Sequence, residues 1–387
     1  MADSPVRSPF HLAAADADFL AKLALPSAFA VPAGTPGHDV GAHPVPATRP
    51  YMIASHRTNG SVKLVRNPRF REWSAAAQPD GFPDVISAPA VTVVNVGGVD
   101  AEVRAVERRT ADIALHLVPP LSKTELDRLA TRYPSQLHMS DLAYTNCFFL
   151  NTRVPPFDDV RVRRAVNYAF DRQAFAQLLG RAFAPTCQIL PPNFPSYRRS
   201  CQYLPGGVAG LDRARRLVRS SGTSGASVTV WVPAPIAVQG RFMVSVLDSL
   251  GYRARLKAAP APSYFNRVLD SRLRVQTGYV GWGADFPSDV TLIHDVFACA
   301  AFVPGSSNQS NNDPSEFCNP SIDRQMARAE AVQAQDPPAA GALWQKVEHE
   351  ILAQAPMVPT YNRQVVDFVS KRVVNYEYHP QWGALLD

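Results

Sequence analysis

The chain has 387 residues and a formal net charge of +6, with 46% hydrophobic and 19% charged residues. That length suffices for two or three domains and a sizeable core, and no uninterrupted run of about 18 apolar residues reads as a membrane-spanning helix. The positive charge is scattered. Its two small clusters, Arg161, Arg163, Arg164 and Arg213, Arg215, Arg216, Arg219, fall in helical patterns with apolar opposite faces. They read as solvated helix faces, not as the basic stripe with interleaved aromatics of a nucleic-acid site.

The opening stretch MADSPVRSPFHLAAADADFL has no basic segment followed by an apolar one and no lipoprotein-type Cys, so the chain as written carries no export signal. The first 50 residues are Ala- and Pro-rich, with few periodic segments. Short strand-like runs follow in PYMIAS, SVKLVRN and VTVVNV, and VRAVERRTADIAL reads as helix turning into strand. LSKTELDRLATRY is predicted as a helix with Ser122 as its cap and Glu125 completing a capping box. TNCFFLNT reads as a buried strand. PPFDDVRVRRAVNYAFDRQAFAQLLG reads as a helix capped by Asp158 or Asp159, with Val162, Val166 and Ala169 on one face and Gly180 as a stop.

GLDRARRLVRSSG, SVTVWVP, GRFMVSVLDSLG and YRARLKA then read as helix, strand, helix and strand, an α/β order. VQTGYV is a strand, and it leads into GWGADFP. Asn319 with Pro320, and Asp336 with Pro337, open two late helices. In the second of these Trp344, Val347 and Ile351 share a face, and the tail returns to strands.

Five cysteines are present. Cys187 and Cys201 flank a Pro-rich loop, and Cys299 and Cys318 a Ser- and Asn-rich one. Two loop-closing disulfides plus a buried thiol at Cys147 is one accounting, each closure contributing about 3 kcal/mol and pointing to an oxidising compartment. Reduced, buried cysteines are the other. No Cys/His spacing suits zinc, so neither a metal nor a cofactor is expected.

Signatures of catalysis are missing. There is no GxSxG, phosphate loop or strand-following GxGxxG. In KVEHEIL the residues Glu348, His349 and Glu350 are successive on a helix and diverge, so they read as a solvent-facing stretch. An enzyme is not expected.

Six motifs in order carry a resemblance. VKLVRNPRFREW, AVERRTADIAL, PPFDDVRVRRAVNYAFDR, GWGADFPSD, FCNPSIDRQMARAEA and APMVPTYNRQVVDFVSKRVVNY are similar to segments of the extracytoplasmic solute-binding proteins of the peptide/nickel/oligopeptide class, which serve ABC importers. The resemblance spans roughly residues 40–387. It departs at Arg109 and Thr110, where the family often has Gly-Glu.

The resemblance implies an α/β, two-lobed periplasmic-binding-protein fold of the class with an extra lobe. Relative to that family the chain looks N-terminally truncated. Residues 1–147 would be the remaining part of lobe one, 148–360 the large C-terminal lobe, and 361–387 the strands returning to lobe one. TNCFFLNT and the VPTYN region would be the crossings between lobes.

The implied function is extracytoplasmic capture of a peptide or related small solute between the lobes, with delivery to membrane permease subunits. A sensing module within a fusion, or a remnant with little binding, is the alternative. In relatives the Asp of the motif matched by GWGADFP holds the ligand's α-ammonium, which marks Asp285 as an anchor, with Trp282, Gly283 and Ala284 beside it. Asn151 and Tyr361 are further ligand candidates next to the two crossings. Tyr144, Asn362, Arg161 and Arg163 are weaker ones.

Overall fold

The structure is a computed structural model that describes residues 9–38, 45–46, 50–56, 62–70, 85–88, 98–115, 121–203, 208–305, 311–380 and 383–385. The strand expected in VTVVNV lies outside them. Helix α1 (Phe19–Leu23) precedes an antiparallel sheet of β1 (Tyr51–His56), β2 (Val62–Arg66) and β3 (Val85–Ala88). Next come α2 (Val99–Glu107), β4 (Ile113–Ala114) and α3 (Lys123–Arg132). Ser122 accepts from the Glu125 backbone N–H at 3.1 Å. The Glu125 carboxylate does not reach back, as a capping box requires; it is held by Arg128 at 2.6 and 2.7 Å. Arg109, after α2, sits at φ 61°, the left-handed region that costs an L-residue about 1 kcal/mol or more and favours glycine.

Strand β5 (Leu137–Leu150) opens the main sheet. It leads to α4 (Val160–Ala169), α5 (Arg172–Leu179), β6 (Phe183–Pro185), α6 (Val208–Ser221), β7 (Ser227–Pro233), α7 (Ala237–Ser249), β8 (Arg253–Ala259), α8 (Ala261–Val268) and β9 (Thr277–Gly283). The chain closes with α9 (His294–Phe297), α10 (Pro320–Gln333), α11 (Pro337–Gln354), β10 (Met357–Val369), and the hairpin β11 (Glu377–His379) with β12 (Gly383–Leu385). The single helix expected from Asp159 to Gly180 is two. Asp159 caps α4, but the chain turns extended at Phe170 and Asp171 caps α5 by accepting from Ala174 N–H. Asn319 and Asp336 cap α10 and α11 as expected.

The seven-stranded sheet has the order β4-β10-β5-β9-β7-β8, with β6 paired to β10. β7 is parallel to β8 and β9, while β5 is antiparallel to both β9 and β10. Alternation along β5 divides the core. Phe148 and Leu150 join a cluster with α4, α5, α6 and α7. Cys147 packs on the opposite face with α9, α10 and α11, and Phe149 packs there with α8. The far half of β10, at Val366 and Phe368, belongs to a third cluster with α2 and α3. The register of β10 on β5 shifts between Pro359 and Tyr361 and again between Asn362 and Gln364.

Both cysteine pairs are bonded, Cys187 to Cys201 and Cys299 to Cys318, leaving Cys147 free and buried. Two readings of solvated charge are corrected. Arg163 is only 5% exposed. It donates to Gln354 O at 2.8 Å and to Phe157 O at 2.7 Å, and its neighbour Arg164 donates to Ala353 O at 2.8 Å. Tyr203 Oη donates to Leu352 O. Two carbonyls at the C-terminus of α11, Ala353 O and Gln354 O, are thus taken by cationic side chains, which suits the negative end of the helix dipole, and Leu352 O accepts from Tyr203 as well as from Ala355 N–H. Arg161 is exposed and pairs with Asp159 at 2.6 Å.

Glu348 is buried, not solvent-facing. Its Oε1 accepts from Ile189 and Leu190 N–H at 2.7 and 2.8 Å, which fixes the loop after Cys187 onto α11. Burial raises its carboxyl above the usual range.

Replacing Arg163 by Met leaves buried carbonyls unpaired and is expected to cost about 2–4 kcal/mol, whereas Arg161→Met, at an exposed ion pair, is expected to cost much less. Urea unfolding of the two variants beside the parent checks this; equal costs contradict it.

Candidate binding site at the end of strand β9

Strand β9 lies between β5 and β7, and its last residues have β5 alone as partner. Thr145 faces Trp282 and Tyr144 faces Gly283 in the register. Trp282 therefore shares a sheet face with Thr145, Cys147 and Val280, while Gly281 and Gly283 look to the other face. There the Tyr144 ring lies across both glycines. A Cβ on Gly283 would stand 2.7 Å from Tyr144 Cδ2, and one on Gly281 would collide with the same ring. The G-x-G spacing on a strand is the sequence signal for such an aromatic cover. Burial pushes the Tyr144 hydroxyl up to about 12.

Asp285 is exposed one residue past Ala284, on a turn tied down at several points. Ala284 N–H donates to Ala143 O at 2.9 Å. Trp282 Nε1 donates to Thr291 O, and Thr291 Oγ1 donates to Ser288 O at 2.7 Å. Ser288 Oγ donates to Asp18 at 2.8 Å, which brings the N-terminal segment onto the turn. Phe286 is buried beneath it. Asp289, also buried, accepts from Ser196 Oγ through one oxygen, while its Oδ1 has no hydrogen-bond partner among the described residues.

A cavity of about 590 Å³ lies on the Trp282 face, between the end of α8 and α9. Trp282, Val280, Cys147 and Phe149 form its floor, and Asp313 is on its wall. Burial pushes the Asp313 carboxyl up to about 7, although Ser315 and Phe317 N–H donate to it at 2.8 and 2.6 Å.

Trp282, Gly283, Ala284 and Asp285 are contiguous. Asn151 and Tyr361 stand apart from them. Asn151 follows the opposite end of β5 and donates to Glu316 at 2.9 Å while accepting from Arg153 N–H. Tyr361 pairs with Asn146 on the Gly281 face, where its hydroxyl meets that of Tyr279 and receives a bond from Gln239 at 3.3 Å. Asn362 donates to Thr145 Oγ1 at 2.8 Å. Among the described residues no group of three or more His, Cys, Asp or Glu could hold a metal ion, and no helix is long and apolar enough to cross a membrane.

A mixed sheet sharing long antiparallel strands between separate cores is the architecture of the two-lobed solute-binding proteins. The family profile "Bacterial extracellular solute-binding proteins, family 5 Middle" matches residues 9–303, and the chain belongs to that family. It is 25% identical over 362 residues to the glutathione-binding protein GsiB of Salmonella typhimurium, covering 91% of this chain and 65% of that relative. The clavulanic acid biosynthesis oligopeptide binding protein 2 superimposes with a TM-score of 0.81 at 23% identity, over 94% of this chain and 66% of the other. A dipeptide binding protein from Pseudoalteromonas sp. SM9913, solved with Met-Leu, gives 0.69 at 19% identity over 97% and 72%. These two likenesses establish the two-lobed α/β fold.

Burial raises the Asp289 carboxyl from an ordinary 3.8 to about 6. A raised folded-state value means that the folded chain binds the extra proton, so stability falls as pH climbs from about 4 to about 6, by about 2–3 kcal/mol. Asp289→Asn is expected to flatten this part of the stability–pH curve. Thermal melts of parent and variant at pH 4 and pH 7.5 check it, and an unchanged slope contradicts it.

Proposed function

We propose that this chain is the solute-capturing part of an extracytoplasmic binding protein that serves an ABC importer and takes peptides by their free amino terminus. The observation that carries the reading is the strand end itself. The exposed Asp285 carboxylate stands three residues beyond Trp282, on a turn held by Thr291, Ser288 and Asp18. A carboxylate carried on a turn held in that way can meet an ammonium without the backbone having to order. At about 4 Å and an effective dielectric of about 20 such a pair gains roughly 4 kcal/mol before desolvation is charged against it.

Relatives support the solute class. One is named a glutathione-binding protein, and a fold neighbour was solved with the dipeptide Met-Leu. Both are named as binding proteins, and no catalytic role is assigned here. An extended peptide would lie along the strand end and bond through its main chain, which supplies a share of affinity common to all side chains. Closure about β5 and β10 would bring a second surface over it, the hinge motion of this architecture. Membrane permease subunits would then receive the loaded protein.

Asp285→Asn is expected to weaken binding of free-amine di- and tripeptides by about tenfold or more, and N-acetylated peptides to bind the parent comparably poorly. Titration calorimetry measures both. Equal affinities for free and acetylated peptides would remove Asp285 from the role.

A further inference from the structure

We infer that the groove at the outer edge of the main sheet, between β8 and the turn at Arg274, is a binding site for a phosphate group. In the sheet β7 separates β8 from β9, so the groove is not part of the strand end at Asp285, and the inference does not depend on the function proposed above.

The groove is built by the sheet edge. β8 is the last strand in the order and pairs in parallel with β7, with Thr229 beside Arg255 and Trp231 beside Lys257. Side chains alternate along a strand, so Arg255 and Lys257 share one face, while Ala254 and Leu256 pack on the other with the α7 cluster. A short 3-10 turn, Ser271–Leu273, leads to Arg274 and Gln276, which complete the lining. The concavity is about 380 Å³, within the range of small-ligand sites, about 300–1,000 Å³.

Charge is the first argument. Arg255, Lys257 and Arg274 line the groove, and no Asp or Glu does. Among the described residues none of the three pairs with a carboxylate. Asp270, the acid closest in sequence to Arg274, is committed to Arg272, which donates to its two oxygens at 2.8 and 2.7 Å. The surrounding chain strengthens the field, because residues 151–274 hold 19 of the 39 Lys and Arg but 6 of the 33 Asp and Glu. Like charges gathered without counter-charge repel one another, and a bound anion relieves that repulsion.

The second argument is the balance of donors and acceptors. Arg255 Nε donates to Thr229 Oγ1 at 3.2 Å, and Lys257 Nζ stands 3.8 Å from the centre of the Trp231 ring. These contacts place the two cations without neutralising them, and the guanidinium Nη groups of Arg255 and the ammonium of Lys257 keep their N–H donors for a guest. The acceptors are already taken. Gln276 Oε1 accepts from Thr229 N–H at 2.8 Å, and its Nε2 donates to Pro155 O and Ser227 O at 2.9 and 3.1 Å. Side chains that offer charged donors suit a guest that is all acceptor. A phosphate ester, with about two negative charges and three acceptor oxygens, matches three cations better than a single carboxylate does.

Arg274 supplies the means to separate binding from folding. Its φ is 46°, in the left-handed region that favours glycine. Glycine at this position relieves the backbone and removes the charge in one substitution.

The test is titration calorimetry of the full chain with inorganic phosphate and with glycerol 3-phosphate, at constant ionic strength made up with chloride. Beside it runs sedimentation with vesicles of phosphatidylglycerol or of phosphatidylcholine alone. The parent is expected to bind at least one phosphate source, and Arg274→Gly and Lys257→Gln each to weaken that binding by about tenfold or more. Arg216→Gln on α6, which lowers the net charge equally outside the groove, is expected to change it less than about twofold. The melting temperature of Arg274→Gly is expected at or above the parent's, so its loss of binding is not a loss of fold; Lys257→Gln carries the test if that variant does not fold. Binding of the soluble phosphates identifies a free ligand, and binding to phosphatidylglycerol vesicles alone identifies a lipid headgroup. The inference is overturned if no phosphate source binds the parent, or if Arg216→Gln weakens binding as much as the groove variants do.

Discussion

The pairing of β5 with β10 is the constraint on which the rest depends. Fourteen residues of one strand and thirteen of the other run side by side through more than one core. Near Leu150 and Met357 their side chains belong to the large α/β/α layers, and near Leu137 and Phe368 they belong to the α2/α3 cluster. Two register shifts interrupt the ladder between these regions. Backbone groups freed by a bulge must find other partners when buried. Here Thr360 Oγ1 donates to Asn146 O at 2.8 Å and Asn362 donates to Tyr144 O at 3.3 Å. β6 and its flanks stitch the same stretch, with Gln364 N–H donating to Ala182 O and Thr186 N–H to Thr360 O. The register shifts thus fall where side-chain bonds and β6 tie the two strands together.

A second layer of order comes from buried charge paired with backbone. Arg163 and Arg164 close the end of α11, Arg172 donates to Pro359 O at 2.8 Å beside the first bulge, and Glu348 gathers the N–H groups of Ile189 and Leu190. Each of these side chains joins elements distant in sequence. Each also carries a desolvation cost that only its hydrogen bonds offset, so deleting one partner exposes the full penalty. Desolvation lowers the Arg163 guanidinium to about 10, which leaves it charged at neutral pH. These ties hold α4 and α11 against β5 and β10, and so set the frame in which β9 ends.

At the site, rigidity and openness are divided between neighbouring residues. Trp282 is fixed by its indole bond, Gly283 by the ring of Tyr144 and Ala284 by β5, while Asp285 alone in this run is exposed. Preorganisation of this kind reduces the cost of binding a charged group, because no loop has to order when the ligand arrives. Asp289, whose carboxyl is pushed up by burial, is enclosed four residues after the exposed one. An exposed carboxylate at the turn and a cavity on the Trp282 sheet face thus lie close together at one end of β9.

Much of this protein was legible in the sequence because its signals are local. Caps at Ser122, Asn319 and Asp336 lie within three residues of the N–H groups they accept from, and period-2 alternation in SVTVWVP marks β7 without reference to anything distant. The cysteine pairs were legible too, because each flanks its own loop. The order of motifs pointed to the family, and with it to Asp285 and Trp282. What lay beyond reach depends on who sits opposite. Nothing in VRVRR says that one arginine faces water and the next but one faces the end of a helix about 190 residues later. Nor does KVEHEIL say that its first glutamate is buried against the loop at Ile189. Helical periodicity continues through NYAFDRQAF, yet the chain breaks there because Asp171 caps a new helix. Asn151 and Tyr361 look like site residues by position, but the strand pairing sends one to the far end of β5 and the other to the opposite sheet face from Trp282. The sequence by itself determined most of the elements, the caps at Ser122, Asn319 and Asp336, and the charged strand end. Tertiary structure decided which charges are buried, where the strand register shifts and that a cavity opens beside Trp282, because those depend on contacts between segments that no local pattern encodes.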